Sequence, residues 1–205
     1  MKRAFLILYG LVFALSGLSI AKKCPTTAIP YQSRSGMKHK KPPADIKASR
    51  ITVGKMIGWP DPEGITSAKV REAHRPIDAR ETKAFELRGD VWRFVMEAND
   101  CDYHLEVSEP GGRSSDDRVI VEIPNNRFAS TARRSFETEL AKMRTEKLVS
   151  GDKFKEPMHI VVKGIAFFDG AHFSTKHPKV GFKHGTEQVQ TLWELHPVYE
   201  LSASH

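Results

Sequence analysis

Residues 84–96, Ala-Phe-Glu-Leu-Arg-Gly-Asp-Val-Trp-Arg-Phe-Val-Met, decide the fold because they predict a β-strand long enough to serve two sheets. Side chains alternate between the two faces of a strand. By that count Phe85, Leu87, Val91 and Val95 lie on one face, and Trp92, Phe94 and Met96 lie on the other. Gly89 indicates a bulge or a sharp bend, as a strand shared by two sheets requires.

The stretches that follow predict two strands, one helix and two more strands. Strands are predicted over 102–108, 119–123, 158–168 and 192–202, with turn residues between them. Between the third and fourth strands the apolar period changes to about 3.6 residues, which indicates a one-faced helix. Its apolar stripe consists of Phe128, Ala132, Phe136, Leu140 and Met143.

This order of elements, over about residues 84–202, is similar to the OB-fold, a five-stranded Greek-key barrel. The fold class is therefore predicted to be mainly β with one helix, which lies between strands 3 and 4. In such a barrel the first three strands are sequential neighbours, the fifth pairs with the third, and the fourth pairs with the first.

The N-terminal residues predict export. Lys2 and Arg3 precede an apolar run at 4–18 that is too short to span a membrane, and Ser19-Ile20-Ala21 is a small-x-small cleavage site. Residues 1–21 are thus expected to be a signal peptide, the mature chain begins at Lys22, and the protein is periplasmic or extracellular. An uncleaved membrane anchor is the alternative, and no transmembrane span is expected after cleavage.

The rest of the chain divides into three parts. Residues 22–50 are rich in lysine and proline without an apolar period, which predicts a flexible basic tail or, alternatively, an arm that binds nucleic acid. Residues 51–83 are predicted to be an extension that packs on the barrel, and residues 84–205 form the barrel domain. Cys24 and Cys101 can pair in an oxidising compartment, and the sequence leaves that pairing open.

A set of histidines and carboxylates marks a candidate site on the strands. Glu194 and His196 share one face of their strand, and Asp102 and His104 repeat that i, i+2 spacing. The candidate polar cluster is Asp102, His104, Glu122, Asp169, His172, Glu194 and His196. These residue types bind divalent metals, for which His104, His172, Glu194 and His196 are the candidate ligands, and they also serve in acid–base catalysis. A buried hydrogen-bond network that fixes strand register is the alternative.

The residues of the cluster also lie in a set of short motifs. These are Asp102-x-His104-Leu105, Val121-Glu122-Ile123-Pro124, Phe167-Phe168-Asp169-x-x-His172 and Glu194-Leu195-His196-Pro197-Val198. Together they resemble a family of uncharacterised exported bacterial proteins. The resemblance groups the site residues and implies no reaction. After His172 the chain has Phe173-Ser174-Thr175-Lys176 where that pattern has a short glycine-containing turn.

Three functions fit the sequence. The first is an exported binding domain for an oligomeric ligand, with nucleic acid or another polyanion favoured by the charge of +7, which becomes +5 once Lys2 and Arg3 are removed. An exposed stacking platform of Trp92, Phe94 and Met96 would support this function, although core packing is their usual role. The second is a metal-assisted hydrolase such as a phosphodiesterase, and the third is a structural envelope protein. No metalloprotease, P-loop or nucleophile-elbow motif assigns catalytic residues or an enzyme class.

Overall fold

The computed structural model describes residue 24 and residues 34–43, 45–66, 73, 75–172 and 185–203. The predicted signal peptide, 1–21, lies outside these ranges. The strands are β1 (Ser49–Ile51), β2 (Ala84–Met96), β3 (Tyr103–Ser108), β4 (Arg118–Ile123), β5 (Val149–Ser150), β6 (Lys153–Phe168) and β7 (Val189–Ala203). The helices are α1 (Ser35–Lys38), α2 (Val53–Ile57) and α3 (Asn126–Thr145), and 3₁₀ turns lie at Ala79–Thr82 and Gly170–His172.

Five of the strands form a closed barrel. β2 pairs with β3, β3 with β4, β4 with β7 and β7 with β6, and β6 returns to pair with β2. The β4–β7 pair is parallel and the other four pairs are antiparallel. In this barrel the fifth strand pairs with the third and the fourth with the first, so the predicted OB-like fold, with α3 between the third and fourth strands, is confirmed.

Two barrel strands begin earlier than their apolar runs indicated. β6 starts at Lys153 rather than 158, and β7 starts at Val189 rather than 192. The first residues of β6 alternate between exposed lysines and the buried Phe154, and they pair with β5 in a hairpin. Gly151 supplies the positive φ of 63° that its two-residue turn requires. A half-exposed strand alternates in polarity, so a search for continuous apolar residues misses its beginning.

Helix α3 packs its apolar stripe on the barrel core. Phe136 is fully buried, and Leu140 and Ala132 lie with it in the same core cluster. The ring of Phe136 contacts the rings of Phe94 and Tyr103 at centroid distances of 5.9 and 4.9 Å. The 3.6-residue period thus identified the buried face correctly, while the side chain of residue 128 lies outside the described part of the structure.

The predicted alternation of β2 is wrong in its second half because of a β-bulge. The register shifts between Val91 and Arg93, so Trp92 is the additional residue. After the bulge Phe94 faces the core, where it packs against Phe136 and Phe154, and Val95 faces outward beside His104. Trp92, Phe94 and Met96 therefore do not form one exposed stacking surface.

Gly89 has a different role from the predicted bulge. A Cβ at this position would lie 2.4 Å from Cγ1 of Val107 and 2.5 Å from the carbonyl oxygen of Ser108. The close approach of β3 to β2 therefore requires glycine here.

The described part of the N-terminal region contacts the barrel. β1 pairs in parallel with β2, and α2 buries Val53 and Met56. Cys24 and Cys101 form a disulfide with a Cα–Cα distance of 5.6 Å, which settles the pairing that the sequence left open. The disulfide joins the N-terminal region to the connection between β2 and β3.

Candidate functional site

The seven candidate residues lie on the outer side of the barrel wall. Leu105, Val121 and Leu195 belong to the hydrophobic core. Because successive side chains alternate, their neighbours His104, Glu122 and the Glu194/His196 pair point away from that core. All seven are nevertheless buried, except His172, which is about one-third exposed.

His196 lies at the centre of the cluster. Its Nδ1 is 2.7 Å from Oε2 of Glu122 and 3.0 Å from Oε1 of Glu194, and its Nε2 is 3.3 Å from Oδ2 of Asp102. The imidazole therefore has a carboxylate on each side, with different nitrogens facing Glu122 and Asp102.

The other candidates connect to this centre. Nδ1 of His104 is 3.0 Å from Oε1 of Glu122, so two histidines lie on the two oxygens of one carboxylate. Nδ1 of His172 is 3.1 Å from Oδ2 of Asp169. Lys38 joins this second pair to the first group, because its Nζ lies within 4 Å of Glu122 and of Asp169. The structure thus brings all seven residues into one connected network.

Three residues of this region lay outside the sequence prediction. Lys38 Nζ lies 3.5–3.9 Å from carboxylate oxygens of Asp169, Glu122 and Glu194. His39 Nε2 lies 3.4 Å from Oδ2 of Asp102. Arg34 forms two hydrogen bonds with Glu81, of 2.7 and 2.5 Å, and its guanidinium lies over the ring of Phe167. The sequence predicted a flexible tail over 22–50, whereas its described residues 34–39 cover the cluster.

Opposite charges keep the central groups ionised despite burial. Burial alone would lower the pKa of Lys38, but the charges of Asp169, Glu122 and Glu194 outweigh burial and hold this pKa well above its ordinary value. Burial would raise the pKa of Glu122, yet the charges of Lys38 and His196 hold it well below its ordinary value. The centre of the cluster is therefore an ionic network.

The histidines of the cluster favour their protonated forms. Burial would lower the pKa of His196, but the charge of Glu122 and hydrogen bonds to Asp102 and Glu122 raise it well above its ordinary value. Burial likewise opposes protonation of His104, and the hydrogen bond to Glu122 outweighs it and raises the pKa. The hydrogen bond to Asp169 raises the pKa of His172. Imidazolium groups thus neutralise carboxylates inside a region of low dielectric.

Three of the candidates are close enough to bind one metal ion. Asp102, Glu122 and His196 can each offer a ligand atom, and these atoms lie within 4.8 Å of one another. Oδ2 of Asp102 and Nε2 of His196 are both buried and face each other at 3.3 Å. His196 is the one residue that this group shares with the predicted ligands His104, His172, Glu194 and His196.

An open cavity of about 400 Å³ borders the cluster on the outer side of β2, β3 and β4. Its walls come from the strands, from α1 and from the connections that follow β2 and β6. The lining residues are Lys38, Arg93, Val95, Glu97, Asn99, Asp100, His104, Glu122, Asp169, His172 and Gly185. Four residues of the predicted cluster, His104, Glu122, Asp169 and His172, therefore face a space that a ligand can enter.

Glu106, a further buried carboxylate, fixes the wall of this cavity. Glu106 accepts hydrogen bonds from Arg93 at 2.9 Å and from Arg118 at 3.0 Å. It also accepts the backbone N–H of Thr186 at 2.9 Å and the Thr186 hydroxyl at 2.5 Å. Glu106 thus holds the end of the β6–β7 connection against β3, beside the cavity.

Comparisons with known proteins identify no family. No protein-family model matches the sequence, and no curated protein matches it. Among solved structures the chain is similar to one described as "OBody AM3L09 bound to hen egg-white lysozyme", at 14% sequence identity and a TM-score of 0.34, over 60% of this chain and 83% of that one. No conclusion about this protein is drawn from a similarity this weak, and the fold assignment rests on the strand pairing. The resemblance to uncharacterised exported bacterial proteins stays a prediction.

Proposed function

We propose that this protein is an exported OB-fold binding domain whose ligand lies in the cavity beside β2, β3 and β4. OB-folds bind oligonucleotides and oligosaccharides on the outer face of their second and third strands, between the loops after the first and fourth strands. In this chain those strands are β3 and β4, and those loops follow β2 and β6. The observation that carries the proposal is the cavity itself, because His104, Glu122, Asn99 and Asp169 line it from these four places.

The charge of the lining does not favour a polyanion. Four carboxylates face the cavity, together with the fixed cations Lys38 and Arg93. His104 and His172 also line it, and their raised pKa values favour the imidazolium form, so the positive and negative charges nearly balance. Both fixed cations already lie beside carboxylates, so they attract a polyanion weakly. Nucleic acid, which the basic composition predicts, would need basic residues outside the cavity for its phosphates, and its affinity would then fall steeply with added salt.

A ligand panel with two matched variants tests this proposal. The mature protein, with its disulfide intact, is titrated with single-stranded oligonucleotides, oligosaccharides and peptides. Asn99 is exposed at the edge of the cavity, so Asn99→Trp should block binding without lowering the melting temperature. Arg50→Ala, which changes an exposed residue outside this cavity, should leave binding unchanged. Equal binding by wild type and Asn99→Trp would place the ligand elsewhere.

One observation supports export. Cys24 and Cys101 are paired, and disulfides persist in oxidising compartments. Among the described residues, no helix has the length and apolar character needed to cross a membrane. Intact-mass measurement of the native protein should give a chain that begins at Lys22, and a full-length species with reduced cysteines would contradict export.

A metal-assisted hydrolase is the second candidate, favoured by the proximity of Asp102, Glu122 and His196. Such an ion would bind these three side chains, and when bound it would polarise a substrate oxygen or lower the pKa of a water molecule. Elemental analysis and melting with and without chelator test this candidate. A melting temperature that chelator lowers and a divalent ion restores would favour it, whereas an unchanged one would leave the cluster as an ionic network. If the ligand panel and the metal assays both show no binding, the third function, a structural envelope protein, is favoured.

A further inference from the structure

The ammonium of Lys38 lies in a cage of three carboxylates and one aromatic ring. Its Nζ is 3.5 Å from Oδ2 of Asp169, 3.7 Å from Oε2 of Glu122 and 3.9 Å from Oε1 of Glu194. The centroid of the Phe167 ring is 5.4 Å away. Although the side chain is only 13% exposed, its ammonium forms no hydrogen bond of ordinary length with any residue in the described ranges. Among the described residues, long ion pairs and the face of the Phe167 ring hold the ammonium, at the wall of an open cavity.

We infer that this cage is a recognition site for the primary ammonium of a lysine-bearing peptide, and that Lys38 occupies it until such a ligand displaces it. The inference rests on the proposed binding function and specifies its ligand. The occupant seen in the structure is itself a lysine of a peptide segment that lies across the ligand face, which shows what chemistry the cage accepts. Displacement breaks ion pairs but no hydrogen bond among the described residues.

The dimensions of the cage favour an organic ammonium over a metal ion. Divalent metals bind oxygen at about 2.0–2.6 Å. Asp169, Glu122 and Glu194, whose oxygens lie 3.5–3.9 Å from Nζ, would therefore each have to move inward by roughly 1–2 Å. An aromatic face within about 6 Å attracts an ammonium through the ring quadrupole. Phe167 supplies such a face, and it offers no ligand atom to a metal.

The segment that carries Lys38 is held independently of the cage. On one side Arg34 is paired with Glu81 and donates a hydrogen bond to the carbonyl of Phe168. On the other side His39 lies 3.4 Å from Asp102. The Lys38 side chain has four rotatable bonds and can move into the cavity while the backbone stays in place. Exchange with a ligand therefore needs a side-chain movement and no unfolding of the segment.

Chemical rescue tests the cage directly. Lys38→Ala removes three methylene groups and the ammonium, and these removed groups together have the shape of n-propylammonium. That amine should raise the melting temperature of Lys38→Ala above the value in sodium chloride of equal ionic strength. Wild type, the exposed-lysine variant Lys40→Ala and Lys38→Met, which fills the same space without a charge, should show no such difference. If Lys38→Ala folds poorly, n-propylammonium should restore folded protein during refolding.

A peptide competition gives the second measurement. A peptide of residues 34–43 should bind Lys38→Ala about tenfold or more tightly than wild type, because the internal competitor has been removed. The same peptide with Lys38→Met should bind neither protein. No selective response to the amine, or a response to divalent ions instead, would overturn the inference. If another ligand still bound wild type and Asn99→Trp abolished that binding, the proposed function would stand without the inference. Failure of the inference and failure of the proposed function can therefore be distinguished.

Discussion

Removing the imidazole of His196 should cost the protein a large part of its stability. His196 is 1% exposed, and it lies 2.7 Å from Glu122, 3.0 Å from Glu194 and 3.3 Å from Asp102. His196→Ala leaves these carboxylates buried with one cation fewer. Removing one partner of a buried ion pair costs roughly 3–5 kcal/mol. Because Lys38 and His104 also neutralise Glu122, we expect about 3 kcal/mol at pH 7, near the lower end of that range.

Urea unfolding with the disulfide intact measures this free energy. Lys163→Ala is the matched control, because its ion pair with Glu200 is exposed and should contribute less than about 1 kcal/mol. A double-mutant cycle with Glu122→Gln separates the ion pair from packing. Each single change leaves the other member of this pair charged and buried, and the double change removes both members, so the double cost should be smaller than the sum by roughly 1–3 kcal/mol. Additive costs, or a His196→Ala cost equal to that of the control, would refute the network.

Three further predictions concern pH, packing and the disulfide. Folding raises the pKa of His104 and of His196. Their contribution to the free energy of unfolding is therefore fully present below the unfolded pKa of 6.5, and it is lost as pH rises through the folded pKa values. The free energy of unfolding should therefore fall as pH rises from 6.5 toward the folded pKa values, by at most about 1.4 kcal/mol per histidine and pH unit. A flat profile in urea titrations from pH 6 to 9 would contradict this. Phe136→Ala should cost about 3–5 kcal/mol in the same assay, because Phe136 is fully buried, whereas the exposed Lys142→Ala should be nearly neutral. Replacing Cys24 and Cys101 by serine should cost about 4 kcal/mol, since the bond closes a separation of 77 residues, and a loss below about 1 kcal/mol would exclude an ordered tether.

The parts of the fold that depend on local pattern could be predicted from the sequence. Strand alternation is fixed by backbone geometry, so Glu194 and His196 had to share a face. Asp102 lies one residue before β3, so its position is not set by alternation within that strand. The OB-like order of elements then brought β4 beside β7, which places Glu122 within 2.7 Å of His196. These residues could be grouped without knowledge of any contact.

The rest depends on contacts between distant parts of the chain. Residues 34–39 have no apolar period, and their position depends on contacts such as the pairing of Arg34 with Glu81, 47 positions away. The sequence around Lys38 and His39 is typical of a solvated basic tail. These two side chains are buried because carboxylates from four other places in the sequence lie beside them. The position of the bulge at Trp92 likewise follows from the pairing of Arg93 with Glu106 on β3, which the sequence of β2 does not contain.

The most direct test of the central claim is to map the binding surface of the bound ligand. Backbone amide NMR of the protein with its disulfide intact, titrated with the ligand that the panel identifies, should show saturating shifts at Asn99, His104, Glu122 and Asp169, all of which line the cavity. The same titration of Asn99→Trp should show none of these shifts. Shifts confined to another surface, such as the pocket beside Arg50 and Lys55, would contradict the assignment of the cavity as the ligand site.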